Sequence, residues 1–214
     1  MTIHQVKLVH ITPNAEELIA YMARVSNPAN QNNTETSQRL IRYLIEHKHW
    51  SPFEMVNMCV EINTTRSIAA QILRHRSFSF QEFSQRYSDV SNIGTPVIPA
   101  LRRQDTKNRQ NSIDDLHQSS KEFFERKIEH LFSECQDVYQ QLIEAGVAKE
   151  CAREVLPLAT PTRLYMNGTI RSWIHYCQLR CGNGTQLEHR MIAKGAYKLL
   201  QEHLPNVCLA LSNV

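Results

Sequence analysis

The chain has 214 residues, of which 42% are hydrophobic and 21% are charged, and its formal net charge is +3. This length and apolar content suffice for one hydrophobic core, so we expect a single domain over residues 1–214. The charge is too small to indicate a nucleic-acid or membrane partner by itself, and no apolar run is long enough for a membrane span or an export signal. We expect a cytoplasmic protein.

Hydrophobic periodicity divides the first third of the chain into strands and helices. Asn14, followed by two glutamates, is a candidate N-cap, and Ser26-Asn27-Pro28 ends the helix that it starts. The predicted elements are a strand at 5–11, helices at 14–25 and 36–48, a half-buried strand at 53–63 and a short helix at 65–73. The short helix leads directly into the most informative segment of the chain.

The segment 74–86 concentrates hydrogen-bond donors. It holds three arginines, one histidine, one glutamate and three serines, with three phenylalanines between them. Side chains of this kind typically bind an anion, most often phosphate. The six glycines form neither a G-x-G-x-x-G nor a P-loop motif, so a bound nucleotide would depend on these side chains. Glu82 among the arginines suits fixing a guanidinium or accepting from a sugar hydroxyl.

Helical patterns dominate the second half of the chain. The polar stretch 97–115 is predicted to be a long loop, and the sequence assigns it no role. The next helix has an apolar seam suited to core packing or a subunit interface, and Gly146 ends it. The seam consists of Phe124, Ile128, Leu131, Cys135, Val138 and Leu142. Further patterns predict helices at 148–155, 171–180 and 186–204 and a strand at 164–169.

These elements indicate an α/β (α+β) fold. We expect a mainly antiparallel sheet flanked by helices, together with a helical portion. No internal repeat, low-complexity tract or domain linker interrupts the chain.

The six cysteines allow three interpretations. Disulfides are disfavoured because a chain of this size and apolar content does not need them. Cys177 and Cys181, with His175 and His189 nearby in sequence, would allow a zinc site. Two helical neighbours packed in a core is the interpretation that we favour, so we expect no metal.

Two alternative functions deserve comparison. Leu73-Arg74-His75 is similar to the Arg-His-Gly motif of histidine phosphatases, but Arg76 replaces the glycine and the motif follows a helix instead of the first strand. A single-stranded nucleic-acid-binding protein would stack bases on the phenylalanines of segment 74–86 and hold phosphates with its arginines. The low net charge and the acidic Glu54 and Glu82 speak against that second alternative.

The spacing Arg-His-Arg, then Ser, Ser and Arg in segment 74–86 resembles the signature of flavin-dependent thymidylate synthases. Four further blocks resemble motifs of the same family and occur in the family order over nearly the whole chain. They are Ala23-Arg24-Val25-Ser26, His49-Trp50-Ser51-Pro52-Phe53-Glu54, Arg153-Glu154-Val155-Leu156-Pro157, and Arg171-Ser172-Trp173-Ile174-His175 followed by Arg180.

The resemblance implies conversion of dUMP to dTMP. Methylenetetrahydrofolate would supply the carbon, and FAD reduced by NADPH would supply the hydride. The family also implies a homotetramer with active sites shared between subunits. No cysteine lies in a matched block, so a thiol nucleophile is not expected. Arg180 matches the arginine that the family places against the uracil, and it is the expected catalytic residue.

The same matching implies two sets of binding residues. Arg86, Arg153 and the turn at Ser84 would take the phosphate, and His49 would lie near both flavin and folate. The dUMP set is Gln71, Arg74, Glu82, Ser84, Gln85, Arg86, Arg153 and Arg180. The FAD set is Ser26, His49, Ser51, Arg74, His75, Arg76, Glu82, Thr169, Arg171 and His175. The sequence departs from the family at Thr169, where many members have Asn, and in the segment 181–185.

Overall fold

Four of the six strands form one antiparallel sheet in the computed structural model, which describes residues 3–212. The strands are β1 (Gln5–Ile11), β2 (Asn57–Thr65), β3 (Ser79–Glu82), β4 (Arg103–Gln104), β5 (Ser112–Ile113) and β6 (Pro161–Thr169). The sheet order is β1-β2-β6-β3, and β4 pairs only with β5. The prediction of a mainly antiparallel sheet with flanking helices is confirmed.

The helices surround this sheet and connect its strands. They are α1 (Ala15–Ala23), α2 (Ser37–Glu46), α3 (Arg66–Ile72), α4 (Gln118–Glu144), α5 (Lys149–Ala152), α6 (Ile170–Arg180), α7 (Leu187–His203) and α8 (Pro205–Leu211). Helix α6 packs on α7, and α2 packs on α8. None of the helices within residues 3–212 has the length and apolar character needed to cross a membrane.

The core lies on one face of the sheet because β2 and β6 alternate apolar and polar residues in matching register. Val60 pairs with Met166 and Ile62 with Leu164, and all four are fully buried. Burying a side chain of this size contributes about 1.5–3 kcal/mol. From α6, the indole of Trp173 fills the same core and donates to the carbonyl oxygen of Met58 at 2.9 Å. This bond fixes α6 against the central strand of the sheet.

Strand β3 was not predicted, although it lies within the informative segment. Ser79 to Glu82 pair with Asn167 to Leu164 at the edge of the sheet. The Cβ of any larger residue at Gly168 would lie 2.4 Å from the ring of Phe78, so glycine there lets the segment approach β6 closely. Segment 74–86 therefore leaves α3 and runs along the sheet edge as a short strand.

Two predictions were wrong for local reasons, and one helix was not predicted. The strand expected from residue 53 begins at 57, because Ser51–Glu54 forms a 3-10 turn with Pro52 in its first positions. The stretch 97–115 contains the β4–β5 hairpin and is not entirely loop. The chain also forms α8 beyond residue 204, because Pro205 occupies a first-turn position where it needs no N–H partner.

Helix α4 exposes the apolar seam that the sequence predicts. Tyr139 is its only buried residue within the described part of the chain, and its hydroxyl accepts from the backbone N–H of Val90. Phe124, Leu131 and Val138 are 52%, 54% and 44% exposed. The prediction that these three residues pack in the core of this chain is therefore wrong. A subunit interface is the other role that the sequence predicted for the seam.

Candidate active site

Arg180 and His75 meet where α6 ends beside the turn that follows α3. The Nε–H of Arg180 donates to His75 Nε2 at 3.0 Å, so His75 carries its own proton on Nδ1. Burial is the largest of the causes that lower the pKa of His75 to about 4, and the charges of Arg180 and His175 act in the same direction. A neutral imidazole thus holds the guanidinium by one nitrogen and leaves its two terminal amino groups for another partner.

A second histidine, His189 on α7, is fully buried and lies beside half-buried His75. Its ring is 6.1 Å from that of His75. The hydroxyl of Tyr176 lies 3.1 Å from its Nε2, and Oε1 of Gln71 lies 3.4 Å from its Nδ1. Burial is the main cause that lowers the pKa of His189 to about 4 and raises that of Tyr176. Sequence reasoning considered His189 only for zinc and missed Tyr176, because only the packing of α6 on α7 brings them to Gln71.

Glu82, at the end of β3, is held by neighbours on α3 and β6. Its Oε1 accepts from Arg66 Nη1 at 2.5 Å and from Thr162 Oγ1 at 2.9 Å. Of the two uses that the sequence left open for Glu82, fixing a guanidinium is the one observed, although the partner lies outside segment 74–86. Glu82 and Ser84 line a cavity of about 470 Å³ together with the outer face of β6.

Arg86, which is exposed, and Arg153, which is half-buried, both face acidic neighbours. Arg86 Nη2 lies 3.2 Å from Glu150 Oε2, and Arg153 Nε lies 3.5 Å from Glu154 Oε1. Among the described residues, Gln85 Nε2 and Arg153 Nε are buried atoms with no hydrogen-bond partner. Buried donors without acceptors are costly, so this region has hydrogen-bonding capacity that the single chain does not use.

The residues predicted to bind dUMP therefore form two groups within one chain. The first is Gln71 and Arg180, joined through the histidines and Tyr176. The second is Glu82, Ser84, Gln85, Arg86 and Arg153. Within residues 3–212, no side-chain hydrogen bond or ion pair links the two groups. Arg74 and Arg76 are exposed beside the first group.

A cavity of about 690 Å³ lies on the other side of α6. Arg171 pairs with Glu54 across it, and Ser172 Oγ donates to the carbonyl oxygen of Ser77 at 3.3 Å. Its lining also includes Trp50 and His175. Three of the matched blocks thus meet here. Of the residues predicted to bind FAD, this cavity contains Arg171 and His175.

The other residues predicted to bind FAD do not line this cavity. Ser51 lines a separate cavity of about 370 Å³ with Tyr21 and Val25. The ring of His49 lies 6.0 Å from that of Tyr43. Ser26 follows Arg24, whose buried guanidinium donates to the carbonyl oxygen of Asn33 and to Thr36 Oγ1 and so fixes the turn after α1.

The family model described as thymidylate synthase complementing protein matches residues 7–206. Two curated relatives extend over nearly the same span. The probable flavin-dependent thymidylate synthase of Paramecium bursaria Chlorella virus 1 is 51% identical over 197 residues, covering 92% of this chain and 90% of the relative. The flavin-dependent thymidylate synthase of a Synechocystis strain is 52% identical over 196 residues, covering 92% and 89%.

The chain belongs to the flavin-dependent thymidylate synthase family. The fold agrees, since the UMP/dUMP methylase PolB from Streptomyces cacaoi, solved with 5-Br dUMP, superposes with a TM-score of 0.88 at 26% identity. That superposition covers 100% of this chain and 96% of the methylase.

Family membership disfavours the nucleic-acid-binding alternative, and the phenylalanines give a physical reason. Phe78 is buried, and its ring centroid lies 4.8 Å from that of Trp173. Phe80 is half-buried and packs against the same core. A side chain that fills the core cannot also present its face to a base.

Thr169, another residue predicted to bind FAD, is the N-cap of α6. Its Oγ1 accepts from the backbone N–H of Ser172 at 3.2 Å and lies 3.1 Å from the Ser172 hydroxyl. Threonine is a favourable N-cap. Its hydroxyl therefore has a structural role in this chain, whatever its contact with FAD.

Two cysteines of this family member, Cys177 and Cys208, are buried and pack as small apolar residues, whereas Cys151 is exposed. Cys177 is buried and its thiol donates to the carbonyl oxygen of Ala193 at 3.8 Å. The neighbouring side chain of Cys177 lowers the pKa of the Cys181 thiol. His189 bonds to Tyr176 and not to these cysteines. Within residues 3–212, no group of three or more His, Cys, Asp or Glu side chains is arranged to hold a metal ion.

Proposed function

We propose that this protein converts dUMP to dTMP. Methylenetetrahydrofolate is the proposed carbon donor, and NADPH is the proposed reductant of a bound FAD. The observation that carries the proposal is the fixed guanidinium of Arg180, held by neutral His75 close to Gln71 in a member of this family. A guanidinium placed against the uracil stabilises negative charge that develops on the ring and cannot lose its own proton.

Arg86 and Arg153 are proposed to hold the dUMP phosphate. Each now faces one carboxylate at 3.2 Å or more, so a dianionic phosphate has a charge advantage over the present partners. Ser84 adds a hydroxyl, and Gln85 has an unpaired buried amide nitrogen. Ser84 is assigned to binding and not to nucleophilic attack, because no histidine is among the described residues that line the cavity and the carboxylate of Glu82 is already engaged by Arg66 and Thr162.

The cavity beside α6 fits part of an FAD molecule. It offers the indole of Trp50 for an aromatic ring, the guanidinium of Arg171 for a diphosphate, and the hydroxyl of Ser77 as a donor. Arg171 and His175 are the proposed ligands here, and Ser51 in its separate cavity and the exposed Arg74 and Arg76 are proposed to bind other parts of the FAD. When bound, the flavin supplies the hydride. The chain orients it and excludes water from the ring.

The protein is also proposed to be a homotetramer with shared active sites. Two observations support this assembly. The dUMP residues form two separate groups in one chain, so a second subunit offers the simplest way to bring both groups to one substrate. The α4 seam exposes Phe124, Leu131 and Val138, as expected of a surface that another subunit covers. The cytoplasmic location expected from the sequence stays a prediction.

An omission experiment tests the activity. The purified protein is first scanned for the absorbance bands of bound flavin. Formation of dTMP is then measured with dUMP, FAD, NADPH and methylenetetrahydrofolate, and each is left out in turn. We expect dTMP only when all four are present, and FAD that is already bound to the purified protein counts as present. Protein that binds FAD and dUMP but forms no dTMP in the complete mixture would contradict the proposal.

A further inference from the structure

We propose that a directed chain of hydrogen bonds from Arg102 to Tyr176 fixes the side-chain amide of Gln71, so that Gln71 offers an N–H donor to the pyrimidine and selects uracil over cytosine. The members in order are Arg102, Glu188, Gln186, Gln71, His189 and Tyr176. This inference rests on the proposed dUMP site. It gives the stretch 97–115 a role, since Arg102 belongs to it.

The direction of this chain of hydrogen bonds is determined at Arg102. Arg102 Nη2 lies 2.7 Å from Glu188 Oε1, and both side chains are largely buried, with exposures of 12% and 14%. Gln186 Nε2 donates to the other carboxylate oxygen, Glu188 Oε2, at 2.9 Å. A guanidinium only donates and a carboxylate only accepts, so the amide nitrogen of Gln186 must face Glu188.

Each later orientation follows from the one before it. Because Gln186 turns its nitrogen to Glu188, its oxygen faces Gln71, and Gln71 Nε2 donates to it at 2.7 Å. The oxygen of Gln71 then faces His189 Nδ1, which must carry the proton. His189 Nε2 is then unprotonated and accepts a hydrogen bond from the hydroxyl of Tyr176 at 3.1 Å. The lowered pKa of buried His189 agrees with this neutral tautomer.

The outward end of the Gln71 amide is its nitrogen. His189 is fully buried, whereas Gln186 is exposed, so the oxygen of Gln71 points inward and Nε2 points toward the surface. One hydrogen of Nε2 is used by Gln186, and the other remains for a ligand. Uracil has a carbonyl acceptor at position 4, where cytosine has an amino donor. A fixed donor therefore favours dUMP and opposes dCMP.

The decisive test reverses the direction of the hydrogen bonds by a substitution at Glu188, next to Arg102 and remote from the proposed pyrimidine site. In Glu188→Gln, the oxygen stays with Arg102 and the new amide nitrogen faces Gln186, which must turn over, as must Gln71. The oxygen of Gln71 then replaces its nitrogen at the outward end. The affinities of dUMP and dCMP are measured by titration of the flavin-loaded protein. Glu202→Gln, an exposed position on the same helix, is the matched control.

We expect Glu188→Gln to lower the ratio of dUMP to dCMP affinity by about tenfold or more, and Glu202→Gln to leave it unchanged. Tyr176→Phe removes the last hydroxyl but leaves the orientation set by Arg102 and Glu188. It should therefore weaken the binding of both dUMP and dCMP without changing the ratio of their affinities. An unchanged ratio in folded Glu188→Gln overturns the inference, as does a wild-type protein that binds dUMP and dCMP equally.

Gln71→Met keeps the test decisive if Glu188→Gln does not fold. It lacks the amide, so the ratio must fall, and an unchanged ratio in this variant also overturns the inference. Failure of the proposed function is a different result, namely that the wild-type protein does not bind dUMP.

Discussion

Arg180 donates from Nε to Nε2 of His75 across 3.0 Å, which ties the end of α6 to the turn after α3. The bond uses one nitrogen of the guanidinium and leaves the planar pair of terminal amino groups. It also requires His75 to be neutral, which its low pKa ensures at physiological pH. The two residues together present a cation whose direction is fixed before any substrate arrives.

Arg180→Ala should depress turnover at saturating dUMP, because charge on the ring develops mainly in the transition state. The expected loss is about 10²–10³-fold, as for other fixed donors of this kind. Arg180→Lys should recover little, since a point charge lacks the planar fork. Arg86→Ala is the contrast, and it should mainly raise the dUMP requirement. The measurement is steady-state kinetics with FAD content checked. Full turnover in Arg180→Ala would reject its catalytic role.

Acid should destabilise the protein through its buried histidines. The pKa values of His75 and His189 are about 4 when folded, against an ordinary value of 6.5. The unfolded chain therefore binds more protons between these limits, and stability should fall as pH drops from about 6.5 to 4. His189 alone would account for about 3 kcal/mol at most. Urea unfolding at stepped pH checks this. A stability that is flat from pH 7 to 4.5 would contradict it.

Single replacement of each cysteine by Ser or Ala should leave dTMP formation present in every variant. No cysteine lies among the proposed dUMP ligands, and burial raises the pKa of Cys59 and Cys208 away from the thiolate. Cys181 is the most stringent case because it follows Arg180 and has a lowered pKa. A folded cysteine variant that binds dUMP and FAD but makes no dTMP would overturn the proposed mechanism.

Gly168→Ala should destabilise the protein by about 1–3 kcal/mol, as overpacked cores do. The new Cβ would lie 2.4 Å from the Phe78 ring, which is already packed against Trp173. Gly182→Ala is the matched control, because nothing lies within 4 Å of its Cβ position. Urea denaturation of both variants tests the difference. Equal stability of the two would mean that Phe78 moves aside without cost.

Leu131→Glu should disrupt the proposed tetramer. It places a charge in the exposed α4 seam, where another subunit would have to desolvate it. Glu129→Gln, also exposed on α4, is the control and should keep the assembly. Light scattering reports the mass of each variant, and flavin content reports whether the shared sites survive. A wild-type protein that is a monomer, or an unchanged mass in Leu131→Glu, would count against the assembly.

The family and most of the elements were predictable from the sequence. Strand β1 and helices α6 and α7 follow from apolar periods of two and about 3.6 residues, which neighbouring residues alone determine. The matched blocks depend on residue identity and order, and the family that they predicted is confirmed. Strand β3 was missed because four alternating residues, Ser79 to Glu82, carry too little pattern without the edge of β6.

The tertiary structure alone decided which side chains meet. Gln71 and His189 lie 118 positions apart in the sequence, and His75 and Arg180 lie 105 positions apart. Such pairs depend on sheet register and helix packing, for which the local sequence has no signal. The same is true of the separation of the dUMP residues into two groups and of the exposed seam on α4. Residue types therefore determined the chemistry available to this chain, and packing over long sequence separations determined its arrangement.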